Sequence, residues 1–251
     1  TDTIDHLIND VYEKKLVTQE SELRYLQSQI NPHFMYNVLC SIALMAQMDG
    51  NADIQKMASN FAGLTQARLS SGGDIKIPLA QELQYAKFYI ELQQMRFGEK
   101  ISYQVSVSDE ALLSCLVPKL MIEMLVENAV GHGIEPKAGH GTVRVSVGCT
   151  EGGALELVVA DDGVGFEGQN GEIPLPLDLP ASGSRHNRVA LNTVYQMLQH
   201  LYGPEYGIRI TSFENSGTTV TILLPKEDSQ HVQNSDRGRR GADAQGPVHT
   251  D

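Results

Sequence analysis

Four segments of the chain hold residue types that could do chemistry. The first is Gln29-Ile30-Asn31-Pro32-His33-Phe34-Met35-Tyr36-Asn37. A neutral imidazole nitrogen is a competent phosphoryl acceptor near pH 7. Asn37, four residues after His33, shares its helix face and could orient the ring or a water. A histidine on a helix can equally be structural or simply solvated. The second segment is Glu127-Asn128-Ala129-Val130-Gly131-His132-Gly133. A carboxamide oxygen such as that of Asn128 suits magnesium, which keeps waters and binds substrate phosphates, and the glycines let backbone approach a ligand. A polar helix end with a glycine cap has the same composition. The third is Asp161-Asp162-Gly163-Val164-Gly165-Phe166, directly after an apolar run. A carboxylate at a strand end can accept a hydrogen bond from an exocyclic amine such as that of adenine, with the glycines clearing space for a flat base. An Asp-Gly turn that merely ends a strand reads alike. Asp161 and Asp162 lack a third acidic ligand at calcium-loop spacing, which ranks metal binding by that pair lower. The fourth is Gly217-Thr218-Thr219-Val220-Thr221-Ile222. Its hydroxyls could reach the same base, although a strand start needs no such role.

The elements that must position these residues follow from periodicity. Residues 3–31 predict a helix: Ile4, Leu7, Ile8 and Val11 form one stripe, and Leu16, Leu23 and Ile30 recur with Leu26 between. That heptad spacing favours a two-helix coiled coil whose seam changes phase between Val11 and Leu16. Pro32 kinks this helix or starts a new one capped by Asn31. A second helical stretch runs over 33–69 on Leu39, Ile42, Met45, Ile54, Met57, Phe61 and Leu64, with a turn at Asp49-Gly50-Asn51. After the break at 70–74, Pro78 opens a third helix with Leu79, Leu83, Ala86, Ile90 and Phe97 on one face. Beyond it the texture changes. Ile101, Tyr103, Val105 and Val107 alternate as in a half-buried strand. Helices are expected over 117–134 and 185–202, and strands over 142–148, 155–160, 208–213 and 218–224. Residues 171–184 read as a long mobile loop. The polar run after Pro225 reads as a disordered tail.

Composition bounds the function. The chain has 251 residues, a prior for one large or two small domains, and 41% hydrophobic residues are enough for a core. A formal net charge of -12 argues against general affinity for nucleic acid or anionic membranes. Cys40, Cys115 and Cys149 lie far apart. They argue for a reducing compartment and against a disulfide framework or zinc site, and each reads as a buried apolar residue. No run approaches the roughly 20 apolar residues of a membrane span, and no signal peptide is legible. Because the chain enters at Thr1 directly into a helical pattern, a fragment of a longer protein is expected.

The order of the pieces is more specific than any one of them. A helix with Asn, a strand followed by Asp-x-Gly-x-Gly, a loop and helix, then Gly-Thr-Thr on a strand resembles the nucleotide-binding domain of the GHKL superfamily. The box from Gln29 to Asn37 resembles the phospho-acceptor segment of LytS/YesM-type sensor histidine kinases. Pro78-Leu79-Ala80-Gln81-Glu82-Leu83 with Met95-Arg96-Phe97-Gly98-Glu99-Lys100-Ile101 is similar to the linking region of the YesM type. The resemblance runs from about Glu20 to Pro225.

It implies an α+β chain: a helical dimerisation and phosphotransfer hairpin over residues 1–74, a GHKL (Bergerat-type) α/β sandwich that binds ATP over 75–226, and a disordered tail over 227–251. By the same resemblance His33 is the phospho-acceptor with Asn37 beside it, and Asn128 coordinates Mg²⁺ on the phosphates of ATP. His132 and Gly133 line the pocket, Asp161 binds the adenine amine, Gly163 and Gly165 make room, and Thr219 joins the base contact. Residues 167–189 form a lid, and at its end Arg188-Val189-Ala190-Leu191 stands where the family often has Gly-x-Gly-Leu, with Leu191 at the nucleotide. The family usually has Lys at the position of Gly131, a loss that should weaken contact with the phosphates. Val117-Pro118-Lys119-Leu120-Met121-Ile122-Glu123-Met124 replaces a run that usually carries two further prolines and a Gln. The acceptor's neighbour is Phe34 where many histidine kinases have an acid, which leaves Glu123 and Glu127 both as candidates for the general base.

The implied function is ATP-dependent autophosphorylation of His33 and transfer to an aspartate of a response regulator, which the YesM resemblance suggests carries an AraC-like DNA-binding domain. The alternative is a non-catalytic or phosphatase-type dimeric module with weak nucleotide binding. A homodimer is expected, as the cytoplasmic portion of a membrane receptor, with no direct nucleic-acid contact and reaching the membrane only through a missing N-terminal part.

Overall fold

The computed structural model describes residues 32–69, 75–177 and 185–227, with the side chains of residues 32–34, 69 and 185–189 outside that description. The helix and seam expected over 3–31, and the tail beyond 227, lie outside the described residues. The chain divides into two compact units, Thr1–Ser71 and Gly72–Asp251. Among the described residues no helix is long and apolar enough to cross a membrane.

In the first unit, α1 (Pro32–Met48) and α2 (Ala52–Leu69) form a helical hairpin. Gly50 adopts φ 71° and ends α1, and the Asn51 side chain accepts the Ile54 N–H at 3.1 Å, capping α2. The expected turn therefore falls at Asp49-Gly50-Asn51.

The second unit is a two-layer α/β sandwich. A short ribbon pairs β1 (Lys76–Pro78) with β3 (Leu116–Pro118). The main sheet contains β2 (Ile101–Val107), β4 (Gly141–Cys149), β5 (Leu155–Asp161), β6 (Asn170–Ile173), β7 (Gly207–Phe213) and β8 (Gly217–Leu224) in the order β2-β4-β5-β8-β7-β6. β2 runs parallel to β4, and the other pairs are antiparallel. Alternate residues Val143, Val145, Val147, Leu155, Leu157, Val159, Val220 and Ile222 point into one core. Helices α3 (Leu79–Phe97), α4 (Met121–Asn128) and α5 (Arg185–Tyr202) cover that face through Ala86, Ile90, Leu125, Val126, Val194 and Leu198.

Several expectations need correction. Residues 117–134 are not one helix. Val117 precedes Pro118 and is driven extended into β3, so the helix starts only at Met121, after Leu120 in a left-handed conformation. The stretch 171–184 is not all loop: Asn170–Ile173 forms β6, whose partner β7 lies far away in sequence, and residues 178–184 lie outside the described residues. The polar run after Pro225 begins inside the fold. The Leu116 N–H donates to the Glu227 carbonyl at 2.7 Å, and the Glu227 carboxylate pairs with Lys76 at 2.7 Å. Of the cysteines only Cys115 is buried, while Cys40 and Cys149 are exposed.

Candidate nucleotide site

At the end of α4 the helix widens into a π turn over Ala129–Ile134, in which the Glu135 N–H reaches back to the Val130 carbonyl at 2.8 Å. Such wide turns recur at functional sites. Here it pushes His132 and Gly133 against the end of β5. The Asp161 carboxylate lies so close to Gly133 that any Cβ there would collide with it, and a Cβ on Gly163 would collide with the Gly133 backbone. The Val164 N–H then donates to the Gly133 carbonyl at 3.0 Å. Gly165 takes φ 68° with its Cα against the Phe213 carbonyl, which no other residue type could do without strain. The Asp-x-Gly-x-Gly segment is therefore a steric lock between the π turn and the β7–β8 hairpin.

The two aspartates do different work. Asp161 accepts the Gly163 N–H at 2.8 Å and faces the cleft. Burial pushes its carboxyl up to about 6, against the Gly163 and Thr218 N–H groups, with the Asp162 charge adding to the rise and Lys137 opposing it. Asp162 turns away. Burial favours its neutral form, but the Thr142 N–H at 2.8 Å and the Lys137 ammonium at 2.9 Å outweigh it and hold the carboxyl below the usual range. An Asp162 engaged in this way has no call on a shared cation, and among the described residues no three His, Cys, Asp or Glu side chains cluster to hold one.

Asn128, His132, Gly133, Asp161 and Gly165 line one narrow cleft together with Phe166 and Thr218. Asn128 is buried, and its Oδ1 has no hydrogen-bond partner among the described residues. Gly163 lies beneath the cleft as the backbone contact just described. Two residues expected at the site are elsewhere. Thr219 alternates with Thr218 along β8, and since Asp161 pairs with Thr218, it is Thr218 that faces the carboxylate while Thr219 points to the other face. Leu191 is fully buried in the core. His33 and Asn37 lie on α1 in the other unit. Asn37 is exposed, and the ring of His33 lies outside the described residues.

Sequence reasoning named Phe166 and Thr218 only within their segments, and it missed Ser212. The Ser212 hydroxyl is fully buried. It accepts the Phe166 N–H at 2.9 Å, donates to the Gly217 carbonyl at 3.2 Å and meets Thr218 Oγ1 at 2.9 Å. A serine at the inward position that follows Ile208 and Ile210 was the available signal.

Comparison with known proteins finds two family matches along the chain. Residues 21–101 match the family described as Histidine kinase, and residues 118–228 match the Histidine kinase-, DNA gyrase B-, and HSP90-like ATPase family. Sensor histidine kinase YesM of Bacillus subtilis (strain 168) is 31% identical over 222 residues, which cover 88% of this chain and 36% of that protein. Sensor histidine kinase YpdA of Escherichia coli (strain K12) is 31% identical over 84% of this chain and 35% of its own length. Sensor protein LytS of Bacillus anthracis is 31% identical over 86% of this chain and 36% of its own length. The chain thus spans a little over a third of the length of the curated relatives it matches.

Proposed function

This chain belongs to the sensor histidine kinases of the LytS/YesM type, and from that premise we propose that it transfers the γ-phosphoryl of ATP to His33 and thence to an aspartate of a response regulator. The observation that carries the reading is the placing, in one cleft, of the Asp161 carboxylate and the Oδ1 of Asn128, which has no hydrogen-bond partner among the described residues. Leaving a buried acceptor unpaired costs about 1–3 kcal/mol, a cost that a bound ligand would remove. A hard oxygen of this kind fits Mg²⁺, which takes its remaining positions from phosphate oxygens and water. When bound, the ion would neutralise charge on the phosphates. Asp161 would accept from the adenine amine, and His132, Gly133 and Gly165 would line the base. Thr218, rather than Thr219, would join that contact.

Phosphoryl transfer is chiefly positioning and electrostatic stabilisation. The unprotonated ring nitrogen of His33 would form the P–N bond as the bond to the ADP oxygen breaks, and the proton on the other ring nitrogen would pass to a base. Of the two candidate bases, Glu123 is 1% exposed, whereas Glu127 is exposed beside Asn128. Glu127 is the one able to reach a substrate. Asn37, one helical turn beyond His33, would orient the ring.

Residues 1–74 would form the dimerisation and phosphotransfer region and residues 75–226 the catalytic domain. Ile42, Met45, Ile54, Met57 and Phe61 are exposed on the hairpin and support a homodimer built as a four-helix bundle. The parent would be a membrane receptor with this portion in the cytoplasm. Its regulator, by analogy with YesM, would carry an AraC-like DNA-binding domain.

Labelled ATP tests the reading. The wild-type chain should take up acid-labile phosphate, and His33→Gln should abolish uptake while nucleotide binding persists. Uptake undiminished in His33→Gln places the acceptor elsewhere. Gly131, where the family carries a lysine, favours a second reading, a non-catalytic dimeric module. Nucleotide binding with no phosphate uptake by the wild type would support it.

A further inference from the structure

Glu82 on α3 is fully buried, yet it is absent from the cleft. Its carboxylate accepts the N–H of Leu120 at 2.8 Å, that of Ile122 at 2.7 Å and, more distantly, that of Glu123 at 3.5 Å. These amides open α4. Leu120, at the cap position, has φ 64° and gives no side-chain cap, so the start of α4 is held by a charge from another helix. A local Ser, Thr or Asn would satisfy the Ile122 or Glu123 amide without burying a carboxylate. The arrangement therefore fixes something a local cap would not, namely where α4 lies relative to α3. Burial pushes the Glu82 carboxyl up to about 7 against those three N–H groups, with the nearby Glu123 charge adding to the rise. This carboxylate is held at a cost.

The far end of α4 explains what is being fixed. The helix has eight residues, and the last is Asn128. Eight residues span about 12 Å, short enough to move as a rod, so a shift at its first turn is carried to its last. We propose that Glu82 is a positioning residue for the nucleotide site: by clamping the start of α4 to α3 it sets the carboxamide of Asn128 for the magnesium-nucleotide. α3 is the first helix after the segment that joins the two units, and a displacement of α3 is passed through Glu82 to the phosphate end of the cleft. The inference rests on Asn128 being the magnesium-side residue.

The test is calorimetric titration of the whole chain with a non-hydrolysable ATP analogue, with and without Mg²⁺, on the wild type, Glu82→Gln, Asn128→Ala and their double variant. Val145→Ala, in the sheet core, serves as a control that lowers stability alone. Glu82→Gln keeps the shape but removes the charge and one of the two acceptor oxygens. It should lose about tenfold in affinity for the magnesium complex, the scale of a residue acting through a metal ligand, and little for the metal-free analogue. The double variant should lose no more than Asn128→Ala alone, and Val145→Ala should lower the melting temperature without separating the two affinities. A Glu82→Gln chain whose two affinities hold, or fall together, overturns the coupling, as does full additivity in the double variant. If Asn128→Ala itself leaves the magnesium dependence intact, the assignment of Asn128 falls and the coupling with it. Should Glu82→Gln not fold, Glu82→Asp, with the charge on a shorter arm, is read by the same magnesium split.

Discussion

The hairpin and the sandwich solve packing in opposite ways. What the hairpin buries is small: Ala46, Ala58, Ala62 and Ala67, with Leu64 the one large apolar residue among those described, while Phe61 and Met45 remain 45% and 56% exposed. The sandwich buries Leu79, Ile90, Ile122, Leu125, Leu157, Leu198 and Ile222 almost completely, and its cleft is shaped by glycines that lie in contact with neighbouring atoms. Large apolar groups left in water ask for a partner chain. A site locked by backbone contacts asks for nothing outside itself. The proposed acceptor His33 thus sits on the element that needs a partner, and the candidate nucleotide cleft on the one that does not. Changes in either should be separable.

The largest effect should come from Gly163→Ala. Its Cβ would collide with the Gly133 backbone, which has no side-chain rotamer with which to give way. Overpacking of this kind costs about 1–3 kcal/mol, and the strain falls on the lock that holds Asp161. Nucleotide binding should drop below detection in calorimetry while light scattering still reports the oligomer of the wild type. Retained affinity would mean that the Asp-x-Gly-x-Gly segment can open without cost.

The converse change is Phe61→Glu. Phe61 is 45% exposed within a single chain, so the hairpin itself loses little. A charge at a buried dimer seam is costly, and the variant should be monomeric by light scattering, bind nucleotide within about twofold of wild type as expected for separate sites, and incorporate little phosphate. A dimeric, active Phe61→Glu would place the seam on another face.

A pH titration sharpens the contrast, because Asp161 should act on stability and on binding with opposite signs. Its carboxyl rises from 3.8 to about 6 on folding. Between those values the folded chain holds more proton than the unfolded one, so this contribution to stability is present at low pH and lost as pH rises through about 6. Glu82, raised to about 7, adds to the same trend. In the proposed base contact the adenine amine would need the ionised form of Asp161, so nucleotide affinity should fall about tenfold per pH unit below that carboxyl's value, and Asp161→Asn should bind weakly with a flatter profile. Affinity that rises on acidification would remove Asp161 from the base contact.

How much of this was legible depended on how local the signal was. Asn128, Gly133, Asp161 and Gly165 stand in contiguous motifs whose spacing survives folding, and they meet in one cleft. Thr218 and Thr219 are chemically alike, and only the register of β8 on β5 decides which one faces Asp161. A one-residue shift in register flips every side chain, which is why Thr219 was the wrong neighbour. β6 exists because β7 offers it an edge, and nothing within Asn170–Ile173 announces that. Glu82 stood in the segment that resembles the YesM-type linking region, with no role of its own. Its amide partners lie about forty residues on, and a burial so distant in sequence leaves no periodic trace. Cys40 and Cys149 misled for the reverse reason, since their type favours burial and their positions do not.

The smallest expected effect bears on Gly131, which lies in the same π turn as Gly133 but is not locked. A Cβ added at Gly131 meets nothing within 4 Å, unlike at Gly133 two residues on. Two consequences can be told apart. Replacing a glycine at a compatible conformation restricts the unfolded chain and stabilises by about 0.4–1 kcal/mol, and Gly131→Ala should show that and no more. Gly131→Lys should show the same gain in melting temperature and, in addition, an ammonium able to reach the phosphates. A partly solvated ion pair is worth little, so the added affinity for ATP should be about two- to fivefold, should shrink as salt is raised, and should be missing for adenosine, which has no phosphate to meet. The comparison of Lys with Ala, and of ATP with adenosine, separates charge from chain entropy. If Gly131→Lys binds ATP no better than Gly131→Ala does, the open space at Gly131 does not face the phosphates, and the cation the family supplies from this position has no counterpart to restore.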